Sequence, residues 1–318
     1  MLIKRAARAA QRRWAWTATV AAVAVATGAA GPVGAAPAAA AGSTEVNCRS
    51  NPSALRKAID SSSDRSELKV RGTCTGPFTI RRDLDLIGDK HTVLDGNLAG
   101  PTVTVKAGVR ARMRDLTIAN GAANGQGQAG NGKDPAANGG TNANGQGERG
   151  GGIFNDGGRV TLADVTVRHN TARFGGGIYS RNNKGNIGSV KLIRTTVRHN
   201  TATKKGGGIH NSGGTLTLTN STVRHNIAQF GGGIFNTGTA TLFDSSVFRN
   251  GATIQGGGIF NKGSVTLIRS RVERNTAGAG RGSGGGIFNK RGTVTLTNSK
   301  VRQNQPENCT GNVPDCTG

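Results

Sequence analysis

Aromatic side chains are scarce, at 4% of 318 residues with one Tyr and two Trp, which argues against an ordinary globular core built on rings. Acidic residues are scarce as well: 17 Asp and Glu against 41 Lys and Arg leave a formal charge of +24. That imbalance does not choose a fold, but it selects partners among nucleic acid, anionic glycans, wall polymers and anionic lipids. Beyond residue 30 no run approaches the roughly 18 apolar residues a spanning helix needs. The four cysteines form no CxxC pair and have no nearby His, so they offer no zinc set. A phosphate loop needs GK followed by Ser or Thr, and a calcium roll needs Asp within GGxGxD; neither pattern occurs.

What is plentiful is glycine, with 52 residues, much of it in one recurring phrase. GGGIFN ends at Asn155, GGGIYS at Ser180, GGGIHN at Asn211, and GGGIFN returns at Asn236, Asn261 and Asn289. The isoleucines are spaced by 25, 31, 25, 25 and 28 residues. Each repeat adds a Leu, a Val five residues later and an Asn three beyond that, from Leu162, Val167 and Asn170 to Leu296, Val301 and Asn304. A fixed period of this size means a solenoid, because one unit cannot bury its own apolar face. Three short strands per repeat are expected, around the GGGI phrase, the Leu and the Val. Alternation by two turns Val160, Leu162, Val165 and Val167 inward and Arg159, Thr161, Thr166 and Arg168 outward.

Residues 1–41 read as an export signal: a basic start with Lys4, Arg5, Arg8, Arg12 and Arg13, an apolar stretch from Trp14 to Ala30, and a small-residue run ending at Ala41. Removing those five charges leaves +19 on residues 42–318, so the basicity belongs to the folded part. Export implies oxidised cysteines, and proximity pairs Cys48 with Cys74 and Cys309 with Cys316. The expected localisation is extracellular, with wall association left open, and release makes nucleic acid a poor partner. The oligomeric state is not legible.

Residues 42–67 form an N-terminal cap, with Asn51 and Pro52 opening a short helix that puts Ala54, Leu55, Ala58 and Ile59 on one face. Residues 68–120 hold irregular first coils, alternating apolar pairs broken by glycines. Residues 121–149, rich in Gly, Asn, Ala and Gln, have little to bury and read as a flexible excursion. Six regular coils run over 150–304, and 305–318 closes the far end. About nine or ten coils at ~4.8 Å would make a rod on the order of 45 Å long.

GGGIFN, TLTLTNSTVRHN and FTIRRDLDLIGDKHTVLDG resemble the secreted right-handed parallel β-helix proteins of the pectin-lyase-like superfamily. The GGGI and Asn phrases are also similar to polymorphic outer-membrane protein repeats, without that family's C-terminal barrel. The resemblance implies an all-β, single-stranded solenoid and allows lyases, hydrolases, adhesins and inert scaffolds alike. It also implies where an enzyme of this kind would keep its chemistry: clustered acids on adjacent coils. Here Asp164 and Asp244 alternate with Arg194 and Arg269, a self-neutralising ladder, and Asp156 meets Arg181 on the next coil. Asp83, Asp85, Asp89, Asp95 and Asp115 are more crowded, but LIGD and LDG are turn phrases in which Asp satisfies backbone amides. No catalytic residue, metal ligand or cofactor is therefore assigned.

Three outward rows remain. The first is basic: Arg168, Arg198, Arg224, Phe248, Glu273 and Arg302, flanked by His169, His199, His225, Arg249, Arg274 and Gln303. Its arginines, with Arg249 and Arg274, are the candidate anion-binding set. The second is aromatic: Phe154, Tyr179, His210, Phe235, Phe260 and Phe288. Stacking for stability and contact with sugar faces are both open for it. The third is a Thr row through Thr161, Thr217, Thr241, Thr266 and Thr295, interrupted by Lys191. The expected function is non-catalytic binding of an anionic polysaccharide or wall polymer, adhesin-like or surface-associated. A polysaccharide lyase or glycoside hydrolase is the alternative, and an inert structural rod the third reading.

Overall fold

The computed structural model describes residues 43–123, 148–278, 280 and 282–316. The export signal and most of the Gly-rich segment lie outside the described residues.

The chain is a parallel β-helix, and among the described residues the first four regular coils have four strands each rather than the expected three, while the last two keep three. In the first they are Ile153–Asp156, Arg159–Ala163, Thr166–Arg168 and Thr171–Phe174. Together with strands from the two ends of the chain, they make a nine-stranded sheet that holds the GGGI-phrase strands (sheet 1) and a seventeen-stranded sheet that holds the next two strands of each coil (sheet 2). The fourth strands make a five-stranded sheet (sheet 3). The strand missed by sequence reasoning is carried by TARF, TATKK, IAQF and GATIQ, which share little except one buried alanine: Ala172, Ala202, Ala228 and Ala252.

Coils pair in register, as in Ile178 between Ile153 and Ile209, or Val197 between Val167 and Val223. Ile153, Leu162 and Val167 and their counterparts through Ile259, Leu267 and Val272 are 0% exposed, each worth roughly 1.5–3 kcal/mol of apolar burial. The GGG phrase supplies the corner between sheets 3 and 1. Gly175 takes φ +66°, and a Cβ on Gly177 would stand 2.6 Å from the Gly208 carbonyl oxygen one coil on, so side chains are refused there.

The first coils join the same stack. Phe78–Ile80 and Val103–Val105 enter sheet 1, while Leu84–Asp95 and Arg110–Ala119 enter sheet 2 with a register shift between Ile87 and Thr92. An unexpected strand, Ser43–Asn47, pairs parallel with Ser66–Arg71 at the N-terminal end. The capping helix runs Ala54–Ser61 and buries Leu55 and Ile59. It begins later than the Asn51-Pro52 reading: Ser53 is the N-cap, and the Asn51 carboxamide oxygen instead accepts the Ser53 amide and hydroxyl. Both expected disulfides are present, Cys48–Cys74 at one end and Cys309–Cys316 at the other, with Cα separations of 5.1 and 6.3 Å.

Two buried Asn ladders tie coil to coil. In one, each Nδ2 donates to the Oδ1 of the next rung, from Asn170 through Asn200, Asn226, Asn250 and Asn275 to Asn304, and on to Asn308. The backbone amide of each rung donates to the same oxygen, as from Asn200 to Asn226 at 3.0 Å. The other runs through Asn211, Asn236, Asn261 and Asn289. It is broken above Asn211, where the preceding coil carries Ser180: Asn155 Nδ2 reaches the Ser180 hydroxyl at 3.0 Å, and Asn211 Oδ1 is left buried with no donor. The serine is too short to bridge.

Two outcomes follow from these ladders. Ser180→Asn supplies the missing donor and should raise stability by about 1 kcal/mol, whereas Asn226→Ala removes a complete rung and should cost roughly 1–3 kcal/mol. Denaturant titration of both variants beside the parent checks each sign; a destabilising Ser180→Asn would mean that the break is not an unmet hydrogen bond.

Candidate anion-binding face

The basic row stands on the outer face of the three-residue strands of sheet 2. Arg168 pairs in register with Arg198, and Arg198 with Arg224, on strands Thr166–Arg168, Thr196–Arg198 and Thr222–Arg224. Among the described residues no carboxylate forms an ion pair with any of the three. Partial desolvation, then the charges of Arg224 and Arg168, push the Arg198 guanidinium below its ordinary range. The lower half of the row is different. Phe248 and Glu273 replace arginine, Arg302 is paired with Glu273 at 3.2 Å, and Arg274 donates to Gln303 at 3.1 Å. Arg249 stands at the turn after Phe248. The expected six-arginine set is thus three guanidiniums in register without a carboxylate partner, with three others set apart by position or partner.

Beside them the histidines stack. His199 and His225 lie face to face at 5.0 Å, His169 tilts against His199 at 5.6 Å, and all three take left-handed backbone at the strand end. Arg168 Nη1 and Arg224 Nη1 each lie 3.1 Å from the Nδ1 of the following histidine. A guanidinium can only donate, so Nδ1 accepts and the rings are neutral. Desolvation first and neighbouring charge second hold all three imidazoles below their usual range: Arg168 and Arg198 act on His169, His225 and Arg198 on His199, Arg224 and Arg249 on His225. At neutral pH the face draws its charge from arginine alone.

The aromatic row corrects an expectation. Alternation places these rings outside the β-helix core, but they are not a platform: Phe154, Tyr179, His210, Phe235 and Phe260 are 2–6% exposed, and only Phe288 is half-buried. The unforeseen fourth strand contributes to the cover of the middle rungs, with Phe174 reaching His210 at 6.0 Å and Phe230 reaching Phe260 at 5.7 Å. Rings stack down the ladder at 4.8 Å from Phe235 to Phe260 and 4.9 Å from Phe260 to Phe288. His210 fills one rung between Tyr179 and Phe235, and burial, then Lys205 and Arg149, push its pKa down to about 3.

The acids are engaged as the sequence reading expects. Arg194 clamps Asp164 through two bonds of 2.8 and 2.6 Å, Arg269 clamps Asp244 at 2.8 and 2.7 Å, and Arg181 holds Asp156 at 2.6 Å. Asp83 accepts the Arg110 amide, Asp89 the His91 amide, and Asp95 the Asn97 amide. Among the described residues there is no grouping of three or more His, Cys, Asp or Glu that could hold a metal ion. No helix among them is long and apolar enough to cross a membrane.

No protein-family model and no curated protein matches the chain. Among solved structures, an alginate lyase from Paenibacillus sp. str. FPU-7 is similar at 12% identity over 85% of this chain and 98% of that one, with a TM-score of 0.35. A likeness that weak bears neither on fold nor on chemistry.

The buried imidazole makes a stability prediction. His210 binds its proton near pH 3 when folded and near 6.5 when unfolded, so between those values the unfolded chain holds more protons. Stability should therefore fall as pH drops from about 6.5 towards 3, by up to about 1.4 kcal/mol per pH unit. His210→Phe, which continues the ring ladder, should flatten that decline above pH 4.5, where carboxylates contribute little. Thermal melts of parent and variant across pH 4.5–7.5 read the difference, and superimposable profiles would contradict it.

Proposed function

We propose that this chain is a secreted protein that holds an extended anionic polysaccharide or wall polymer along its basic face without changing it chemically. The observation that carries the reading is the register of Arg168, Arg198 and Arg224, three cations on consecutive coils that no carboxylate among the described residues pairs with. Strand stacking repeats the charge every ~4.8 Å along the helix axis, which suits a polymer bearing an anion on each unit rather than a small ligand. Guanidiniums add directional, two-pronged hydrogen bonding to carboxylate or sulfate. The disulfides at both ends accord with an oxidising, extracellular setting.

Binding of the purified chain to anionic and neutral polysaccharides at low and high salt tests this, with unsaturated-uronate absorbance followed in parallel. The expected result is saturable binding to polyanions that weakens with salt and falls at least tenfold in the Arg168→Ala, Arg198→Ala, Arg224→Ala triple variant, with no absorbance growth. Affinity should also rise as pH falls below the usual imidazole range, because His169, His199 and His225 gain charge only there. Growing absorbance would replace this reading with a lyase, and the absence of saturable binding would leave a structural rod.

A further inference from the structure

Among the described residues only three buried side-chain nitrogen or oxygen atoms lack a hydrogen-bond partner: Arg149 Nη1, His210 Nδ1 and Asn211 Oδ1. The last is accounted for by the ladder break at Ser180. The other two come from different coils, yet both side chains line one recess of about 250 Å³ between sheets 1 and 3. Two residues that each carry a buried, unmet polar atom thus meet at one recess, which marks it as a candidate polar ligand site.

The rest of the lining narrows the ligand's chemistry. Lys205 and Lys262 reach into the recess and no acid lines it. Lys205 Nζ sits 5.2 Å from the Phe235 ring centroid and 5.9 Å from that of Phe174, and Arg149 Cζ sits 5.6 Å from that of Tyr179. Burial, then Lys262, lowers the Lys205 pKa, so the ammonium is partly desolvated beside a like charge. A bound anion would offset both costs. Arg149 offers only donors, so its partner must be an acceptor, while the neutral His210 imidazole can take either role. Ser212 and Thr237 add hydroxyls to the wall, and Tyr179 and Phe235 add ring surface. The volume is below that of drug-sized sites, so the recess admits one ring with its charged group, not a chain segment.

We propose that this recess is a binding subsite for a single oxyanion-bearing sugar residue, a hexuronate or a sulfated hexose. Arg149 and His210 are its hydrogen-bonding residues, and Lys205 and Lys262 its counter-charges. The subsite uses none of the residues of the basic face and stands or falls independently of it.

The test is a side-chain NMR titration of His210 in the oxidised chain with glucuronate, glucose 6-sulfate, glucose and inorganic sulfate. The expected result is a saturable shift of the His210 ring signals with one or both sugar anions, at least tenfold tighter than with glucose or inorganic sulfate; which sugar anion wins identifies carboxylate or sulfate as the source. At saturation the imidazole midpoint, set in the free protein by burial and by Lys205 and Arg149 with Lys262 and Tyr179 also on the wall, should move up from about 3. Arg149→Gln and Lys205→Gln should each weaken binding about tenfold or more while leaving the fold intact by circular dichroism, and the triple arginine variant of the basic face should leave it unchanged. No saturable shift with either sugar anion, or equal affinity for inorganic sulfate, would overturn the proposal.

Discussion

The structure depends on one constraint: every coil must lie in register on the next, because the backbone of each sheet has no other partner for its amides. Parallel pairing satisfies those amides, and the two Asn ladders add side-chain bonds at the same repeat. A buried carboxamide without its neighbour carries an unmet polar group, so slipping a coil by even one residue would strand whole rungs. Apolar burial then follows without rings, since one Ile, one Leu and one Val from each coil fill the same place in the stack. This is how a chain with few aromatics supports a continuous core.

The same register turns a sequence period into surface chemistry. A residue type repeated at one position becomes a column whose members stand ~4.8 Å apart. Where opposite charges alternate the column neutralises itself, as Arg194 with Asp164 and Arg269 with Asp244 do. Where Arg168, Arg198 and Arg224 repeat without an acid, positive charge accumulates. In water the repulsion between such neighbours is about 1 kcal/mol or less, so the fold tolerates the array and leaves it open to an anionic partner. The histidines alongside stay neutral at pH 7 because each has lost part of its hydration and, second, has charged neighbours beside it.

The repeat made most of this legible in the sequence. Inward Ile, Leu and Val, the Asp–Arg clamps, the disulfide pairs and the turn role of Asp89 and Asp95 follow from period and spacing, whereas Asp83 accepts an amide from another coil and Asp85 pairs with Arg112. The burial of the aromatic row did not. Phe235 follows Ile234, so alternation sends it away from the core; Lys205 over its ring comes from a fourth strand whose sequences share only an alanine, too weak a signal beside GGGI. The recess between sheets 1 and 3 was hidden for the same reason, since Phe174 and Lys205 come from that strand and Arg149 bridges to Phe174. Ser180 was visible as a departure from Asn, but its cost appears only when the rung below it is seen to lack a donor.

Arginine footprinting tests the central claim most directly: the chain is treated with an arginine-selective dicarbonyl, with and without a saturating polyuronate, and modification is read at each residue by mass spectrometry. The account predicts protection concentrated at Arg168, Arg198 and Arg224, with Arg194 and Arg269 little changed in their carboxylate clamps. Protection spread evenly over arginines on all faces, or centred away from those three, would contradict it.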